Sequence, residues 1–296
     1  MIYGEPQAGP APLLRIVNDA RHSVEIGVYY LSDRQILQAL AAARRRGVQV
    51  RVIIDGRPYG MRPWRVRKEE REILATGAAL HLAPYHFTSH GDQPAFYHAK
   101  YCCNGQECAI GTANFDWSAF HRNREYLYLT RDPATVRAAR AVFAADWENR
   151  RAPAFAHEKL VLSPATSAAQ LLQMIQQPGP IDIESEELGP YRPILDGLAA
   201  KGHDLRMILP ASINREDQRD VAFLRSHGCQ VRLLPVKTLY MHAKMMVGEQ
   251  VAFVGSENFS ETSLQQNREM GVLLRQEAEL SELRQQFAKD WARADR

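Results

Sequence analysis

The 296 residues carry 37 lysines and arginines against 34 aspartates and glutamates, a formal net charge of +3, with 45% hydrophobic and 24% charged residues. These are the proportions of an ordinary globular chain, long enough to bury a full core as one large or two small domains. The charge alone does not mark a nucleic-acid binder, and no apolar run reaches the roughly 18–20 residues that span a bilayer.

The opening MIYGEPQAGPAPLL lacks the basic and then apolar order of a signal peptide, and leaves the compartment open. A helix over 11–21 leads into a β-branched and aromatic run, 24–30 (VEIGVYY), that reads as a buried strand. Ser32, with Gln35 three residues on, fits a capping box for an alanine-rich helix that runs to Arg46 and stops at Gly47. Residues 48–55 form the next strand. A basic segment, 62–68, opens a helix ending near Gly77; it reads as a solvated face or as an approach for phosphate. A third strand over 78–83 and a His- and Gly-containing loop, 86–93, follow.

Residues 97–103 and 108–111 are expected to pair as a hairpin around Asn104-Gly105. Of the four cysteines, at 102, 103, 108 and 229, Cys103 and Cys108 could bridge across that turn, but small buried thiols are the favoured reading. Their spacing does not suit zinc. A short loop then carries Thr112 and Asn114, a strand runs over 125–130 and a helix over 136–147. Residues 1–150 are read as a first half, 151–163 as a linker and 164–296 as a second half in which the order repeats. There, strands starting at Ile181, Gly202 and Gly228 stand 157, 155 and 151 residues after their first-half counterparts. Alternating strands and helices predict an α/β fold of two pseudo-twofold-related halves, with mixed sheets flanked by helices and an active site at their interface.

The repeat is closest where the residues are most reactive. Residues 98–125 (HAKYCCNGQECAIGTANFDWSAFHRNRE) recur as 242–269 (HAKMMVGEQVAFVGSENFSETSLQQNRE) at a constant offset of 144. The register pairs His98 with His242, Lys100 with Lys244, Thr112 with Ser256, Asn114 with Asn258 and Glu125 with Glu269. It extends to Phe143, Asp146 and Trp147 against Phe287, Asp290 and Trp291. Residues i and i+2 of a strand share a face, so each imidazole and its ammonium point into one space. Glu125 and Glu269, each opening the strand that follows, can reach a ring nitrogen of the histidine in their own copy.

An HxK pair, a short hairpin and G-[ST]-x-N resemble the HKD signature of the phospholipase D superfamily. The chain has it as His98-Lys100-Gly111-Thr112-Asn114 and His242-Lys244-Gly255-Ser256-Asn258. The resemblance implies a phosphodiesterase that needs no metal or other cofactor, with both motifs facing one cleft. One imidazole would attack phosphorus to form a phosphohistidine and the other would pass the proton; the family points to His98 as nucleophile and His242 as acid. Lys100, Lys244, Asn114 and Asn258 would hold the non-bridging oxygens, and Glu125 and Glu269 the ring tautomers. Both copies depart from the family in lacking an Asp five residues after the lysine. Gly105 and Glu249 stand there, with Glu107 and Glu249 as partial substitutes.

Thr112, Ser256, Tyr97 and Tyr240 are expected to line the substrate site, with Phe96 and Met241 adding apolar surface. Phe115 and Trp117 would contact an acyl chain or a base, or pack in the core. Glu184, Glu186 and Glu187 read as a solvated acidic turn rather than as cleft residues. Three functions are compatible with these residues: phospholipid headgroup hydrolysis or transfer at a membrane surface, nucleic-acid cleavage, and phosphate binding without catalysis. The lipid reading is favoured because neither an aromatic stacking platform nor a long basic stripe is evident. One chain holds both motifs, so a monomer suffices for a complete site.

Overall fold

The computed structural model describes residues 1–237 and 239–295. Among them the strands form two seven-stranded mixed sheets and one two-stranded ladder. The first sheet takes β1 (Ile2–Gly4), β2 (Ser23–Val28), β3 (Gln49–Ile54), β4 (Ala79–Leu82), β5 (Lys100–Cys103) and β6 (Cys108–Gly111). After the short β7 (Asn123–Arg124) it is completed by β8 (Tyr126–Thr130). The second takes β9 (Val161–Ser163), β10 (Ile181–Ser185), β11 (Leu205–Pro210) and β12 (Gln230–Leu234). After β13 (Tyr240–Met241) come β14 (Lys244–Val247), β15 (Ala252–Gly255) and β16 (Glu269–Leu274).

The spatial orders are β1-β8-β6-β5-β2-β3-β4 and β9-β16-β15-β14-β10-β11-β12, the same sequence of roles in each half. Three parallel strands in each sheet (β2-β3-β4 and β10-β11-β12) are continued by antiparallel ones. This is the repeated α/β architecture that the alternation of strands and helices predicts. The edge strand β9 lies inside the segment read as linker. It pairs with β16 as β1 pairs with β8, so the second sheet begins before Pro164. Three residues followed by proline are too short a run to show a strand period.

The helix after β2 is capped by Asp33, not Ser32. The Asp33 side chain accepts from the backbone N–H of Gln35 at 2.9 Å and of Ile36 at 3.1 Å. A carboxylate one residue nearer the helix makes those bonds directly, so the Ser32 box is not used. At the β5–β6 turn, Asn104 Oδ1 accepts from Gln106 and Glu107 N–H at 3.0 Å each, and Gly105 takes φ of +90°, the left-handed region a side chain disfavours. The turn sets Cys103 opposite Cys108, and the two form a disulfide rather than buried thiols. Cys102 and Cys229 remain free and buried.

Helices cover the outer face of each sheet over its own cluster: Leu13, Ile26, Leu40 and Val52 in the first half, Leu171, Ile183, Leu198 and Met207 in the second. The inner faces share one cluster that mixes the halves, with Tyr101, Ile110 and Phe143 against Met245, Val254 and Phe287. Burying apolar surface on both sides makes that interface a core rather than a hinge. Among the described residues no helix is long and apolar enough to cross a membrane.

Candidate active site

The two motifs meet because each half lends its Asn-Arg-Glu segment to the other. β13 pairs in parallel with β7, setting Tyr240 beside Asn123 and Met241 beside Arg124. Its counterpart is the Tyr97–Arg268 bridge. In consequence His98 N–H donates to Arg268 O at 2.8 Å and His242 N–H to Arg124 O at 3.3 Å. The arginines lock the exchange. Arg124, fully buried, makes a bidentate pair with Asp290 at 2.6 and 3.1 Å, and Arg268 one with Asp146 at 3.0 and 2.8 Å. The four residues share the 144-residue offset, which is the signal that could have found this clamp.

The histidine–carboxylate pairs are therefore crossed. His98 Nδ1 stands 2.9 Å from Glu269 Oε2, and His242 Nδ1 stands 2.7 Å from Glu125 Oε1, in poorer hydrogen-bond alignment. The expectation of a carboxylate from the same copy is corrected, since the Asn-Arg segment just before each glutamate runs beside the other half's histidine segment. Both carboxylates are inaccessible to solvent. Glu269 is braced by Ser263 Oγ at 2.7 Å and Asn267 Nδ2 at 2.9 Å; Glu125 by Thr112 Oγ1 at 2.5 Å and Asn123 Nδ2 at 3.1 Å. Burial alone would raise the Glu269 carboxyl, but His98 and Lys100 beside it hold it below the usual range. Desolvation, reinforced by Lys100 and Lys244, pushes the His98 imidazolium down, so His98 favours the neutral ring.

Lys100 and Lys244 are both buried, and each donates from Nζ to the backbone carbonyl of the histidine two residues before it, for Lys244 at 2.8 Å. Burial lowers Lys100 to about 7. The ring of Tyr29 packs edge-on to His98 at 4.8 Å between centroids, and Lys100 Nζ lies 5.2 Å from that ring's centre. Asn114 keeps its buried Oδ1 without a hydrogen-bond partner; Asn258 donates from Nδ2 to Glu187 at 3.2 Å.

Three of the residues expected to line the site do not. Tyr97 is fully buried, its hydroxyl 3.1 Å from both Tyr101 and Asp146, because neighbours on an extended segment point to opposite sides and His98 takes the cleft. Thr112 is buried under Glu125. The Ser256 hydroxyl, equally buried, accepts from Met270 N–H at 2.9 Å. Both hydroxyls brace strands behind the histidines. Tyr240 does face the cleft, its hydroxyl 3.3 Å from Glu186. Phe115 is core, whereas Trp117 is exposed on the helix after Asn114.

The acidic stretch is not a solvated turn. Glu184 is fully buried and accepts from Tyr126 OH at 2.8 Å. Glu186 reaches into the cleft, 2.6 Å from Lys244 Nζ and 3.3 Å from His242 Nε2. Its proximity to the histidine is visible only once β10 is set beside β14. Of the substitutes for the missing family Asp, Glu107 pairs with Arg15 and Arg131 at the far end of the hairpin, a role in the fold.

A strand-end histidine pair with crossed carboxylates and a lysine beside each ring, on two superposable α/β halves, defines the two-motif phospholipase D-like class. The family model described as "Cardiolipin synthase, PLD-like domain" matches residues 13–147 and 180–291, and the chain belongs to this family, within the phospholipase D superfamily. The cardiolipin synthase of Clostridium perfringens (strain 13 / Type A) is 29% identical over 114 residues, 38% of this chain and 22% of that protein. The match thus spans less than a quarter of the curated relative's length. Among solved structures, phosphatidylserine synthase from Haemophilus influenzae Rd KW20 superposes with a TM-score of 0.73 at 11% identity, covering 99% of this chain and 86% of that one. Polyphosphate kinase from Porphyromonas gingivalis superposes at 0.71 and 12% identity, covering 97% and 49%. At these identities the two structures speak for the fold.

Proposed function

We propose that this protein is a phosphodiesterase working through a phosphohistidine on phospholipid headgroups, by hydrolysis or by transfer to an alcohol. The observation that carries the reading is the pair of imidazoles whose Nδ1 atoms lie 2.9 and 2.7 Å from buried carboxylates of opposite halves. An anchored Nδ1 fixes the tautomer and leaves Nε2 for chemistry. One Nε2 attacks phosphorus, forming the N–P bond as the bond to the leaving alkoxide breaks. The other histidine gives that alkoxide a proton. It then takes one from the incoming water or alcohol, whose oxygen displaces the first histidine. Lysine and asparagine side chains meet the charge that builds on the non-bridging oxygens, so no metal is required by this scheme.

The lipid class is supported by the family's description and by the cardiolipin synthase likeness. One chain supplies both motifs, so the site does not depend on a second copy. A second reading, a nuclease, is favoured by the exposed Arg62, Arg65, Arg67 and Lys68 around the exposed Trp64. One panel separates the two: mixed phospholipid vesicles with and without added alcohol, and single- and double-stranded DNA, all in excess chelator, with His98→Ala alongside. Lipid turnover lost in the variant is the expected result, and an alcohol-exchanged product identifies transfer. Chelator-resistant cleavage of DNA alone moves the protein to the nuclease class. Near-normal activity of His98→Ala overturns the phosphohistidine scheme.

A further inference from the structure

The two halves repeat one strand order but differ in residues beside their histidine–lysine strands. Val28 pairs with Lys100 and Ser185 with Lys244, so the positions just beyond β2 and β10 correspond. In the first half they hold Tyr29 and Tyr30; in the second, Glu186 and Glu187. The consequence runs through each anion-binding set. Glu186 engages Lys244 at 2.6 Å and Glu187 engages Asn258 at 3.2 Å. In the first half an uncharged ring faces Lys100; the buried amide oxygens of Asn114 and Asn258 are alike without a partner, so the asymmetry lies in the two glutamates.

We propose that Glu186 is a positioning residue that keeps the site's one exchangeable proton on His242 and leaves the phosphoryl group to the Lys100–Asn114 half. The inference rests on the phosphohistidine scheme above and on the roles the family implies, His98 as nucleophile and His242 as acid; what it adds is the part played by Glu186.

The charges support the assignment. His242 lies between two carboxylates, Glu125 at Nδ1 (2.7 Å) and Glu186 at Nε2 (3.3 Å), with Lys244 offsetting one of them. His98 has one carboxylate, Glu269, offset by Lys100. A single proton shared by the two imidazoles is therefore favoured on His242 by one extra negative charge at contact distance. The other groups that face Glu186 do not cancel this. Tyr240 donates to it, Tyr29 is neutral, Glu187, whose carboxyl burial raises to about 7, adds negative charge only above neutrality, and His98 and Lys100 lie across the cleft. The same carboxylate repels a phosphodiester anion from Lys244. Lys100, which burial brings down to about 7, gains its full charge when an anion binds beside it.

The step then balances. Neutral His98 Nε2 bonds to phosphorus while the P–O bond to the leaving alkoxide breaks. The proton on His242 Nε2 passes from its contact with Glu186 to that alkoxide, and Glu186 stays on Lys244. Water or alcohol next gives its proton to His242 and its oxygen to phosphorus, and His98 departs neutral.

Histidine-labelled NMR titration of the substrate-free protein tests the proposal without relying on turnover. The proton is expected to leave His98 at lower pH than His242. Glu186→Gln should narrow the gap between the two transitions, and Glu186→Asp should keep most of it. A His98 that titrates at or above His242, or a gap untouched by Glu186→Gln, overturns the inference. In pH–rate profiles on synthetic phosphodiesters, Glu186→Gln should shift the alkaline limb to lower pH. Above neutrality it should cost a diester with an alkyl leaving group at least tenfold more than one losing 4-nitrophenolate, which leaves without a proton. Equal losses on both, with the limb unmoved, point to a merely structural role and also overturn it. Failure of the underlying scheme reads differently, as retained turnover in His98→Ala.

Discussion

His98 takes its Nδ1 partner from the opposite half: Glu269 Oε2 lies 2.9 Å away across an interface formed by residues 171 positions apart. Glu269→Gln keeps the shape but removes the charge and offers the ring a donor where it needs an acceptor. Mutations of this type at an orienting carboxylate reduce proton-transfer catalysis by roughly 10²–10⁴-fold. We expect kcat to fall by at least about a hundredfold with a much smaller change in KM. Steady-state kinetics of Glu269→Gln and Glu125→Gln check this, and a loss confined to KM would contradict it.

The arginine–aspartate clamps predict a stability signature. Arg268 and Asp146 are 4% and 3% exposed, so removing one partner leaves the other charge buried and unpaired. Such a loss costs about 3–5 kcal/mol, whereas replacing both by apolar residues can be nearly neutral. Urea denaturation of Asp146→Ala should therefore show the larger loss, and Arg268→Met with Asp146→Leu together a smaller one. Additive losses would mean that the pair is not coupled.

Stability should fall as pH rises through neutrality. Burial pushes the carboxyls of Glu69 and Glu184 up to about 8, against the partial relief of a Leu31 N–H bond to Glu69 at 2.7 Å and, at Glu184, of the Arg124 charge ahead of the Tyr126 OH bond. Between their unfolded values near 4.5 and about 8 the folded chain holds protons that the unfolded chain has released. Their contribution is thus full below the unfolded value and lost as pH climbs through the folded one. Glu69→Gln removes one titration, so its unfolding free energy from urea denaturation should decline less from pH 5 to pH 8, by an amount on the order of 2 kcal/mol. Parallel declines would show that Glu69 is not a contributor.

The candidate catalytic set was legible because it is written twice: a constant offset of 144 residues picks His, Lys, Asn and Glu out of a chain with many of each. The alternating elements, likewise, foretell the mixed sheets flanked by helices, though not the order of their strands. What could not be read was which copy serves which. Glu125 and Glu269 have equivalent spacing to their own histidines, and only the β7–β13 ladder and its counterpart reveal the exchange. Tyr97 was misplaced although strand alternation forbids it to share a face with His98. Glu186 had no repeat to flag it, because its counterpart is Tyr29 and the offset there is 157 rather than 144. Features that break a repeat are invisible to a comparison of its copies.

The exchange of Asn-Arg-Glu segments also bears on how such a chain can change over time. In an ordinary tandem duplication one copy can decay while the other keeps working. Here the decay of either copy's Glu removes the carboxylate beside the histidine of its sister, and the loss of either Arg strands an aspartate in the other half. The copies are thus held hostage to each other at these positions and are free to differ elsewhere, as Tyr29 beside His98 and Glu186 beside His242 do.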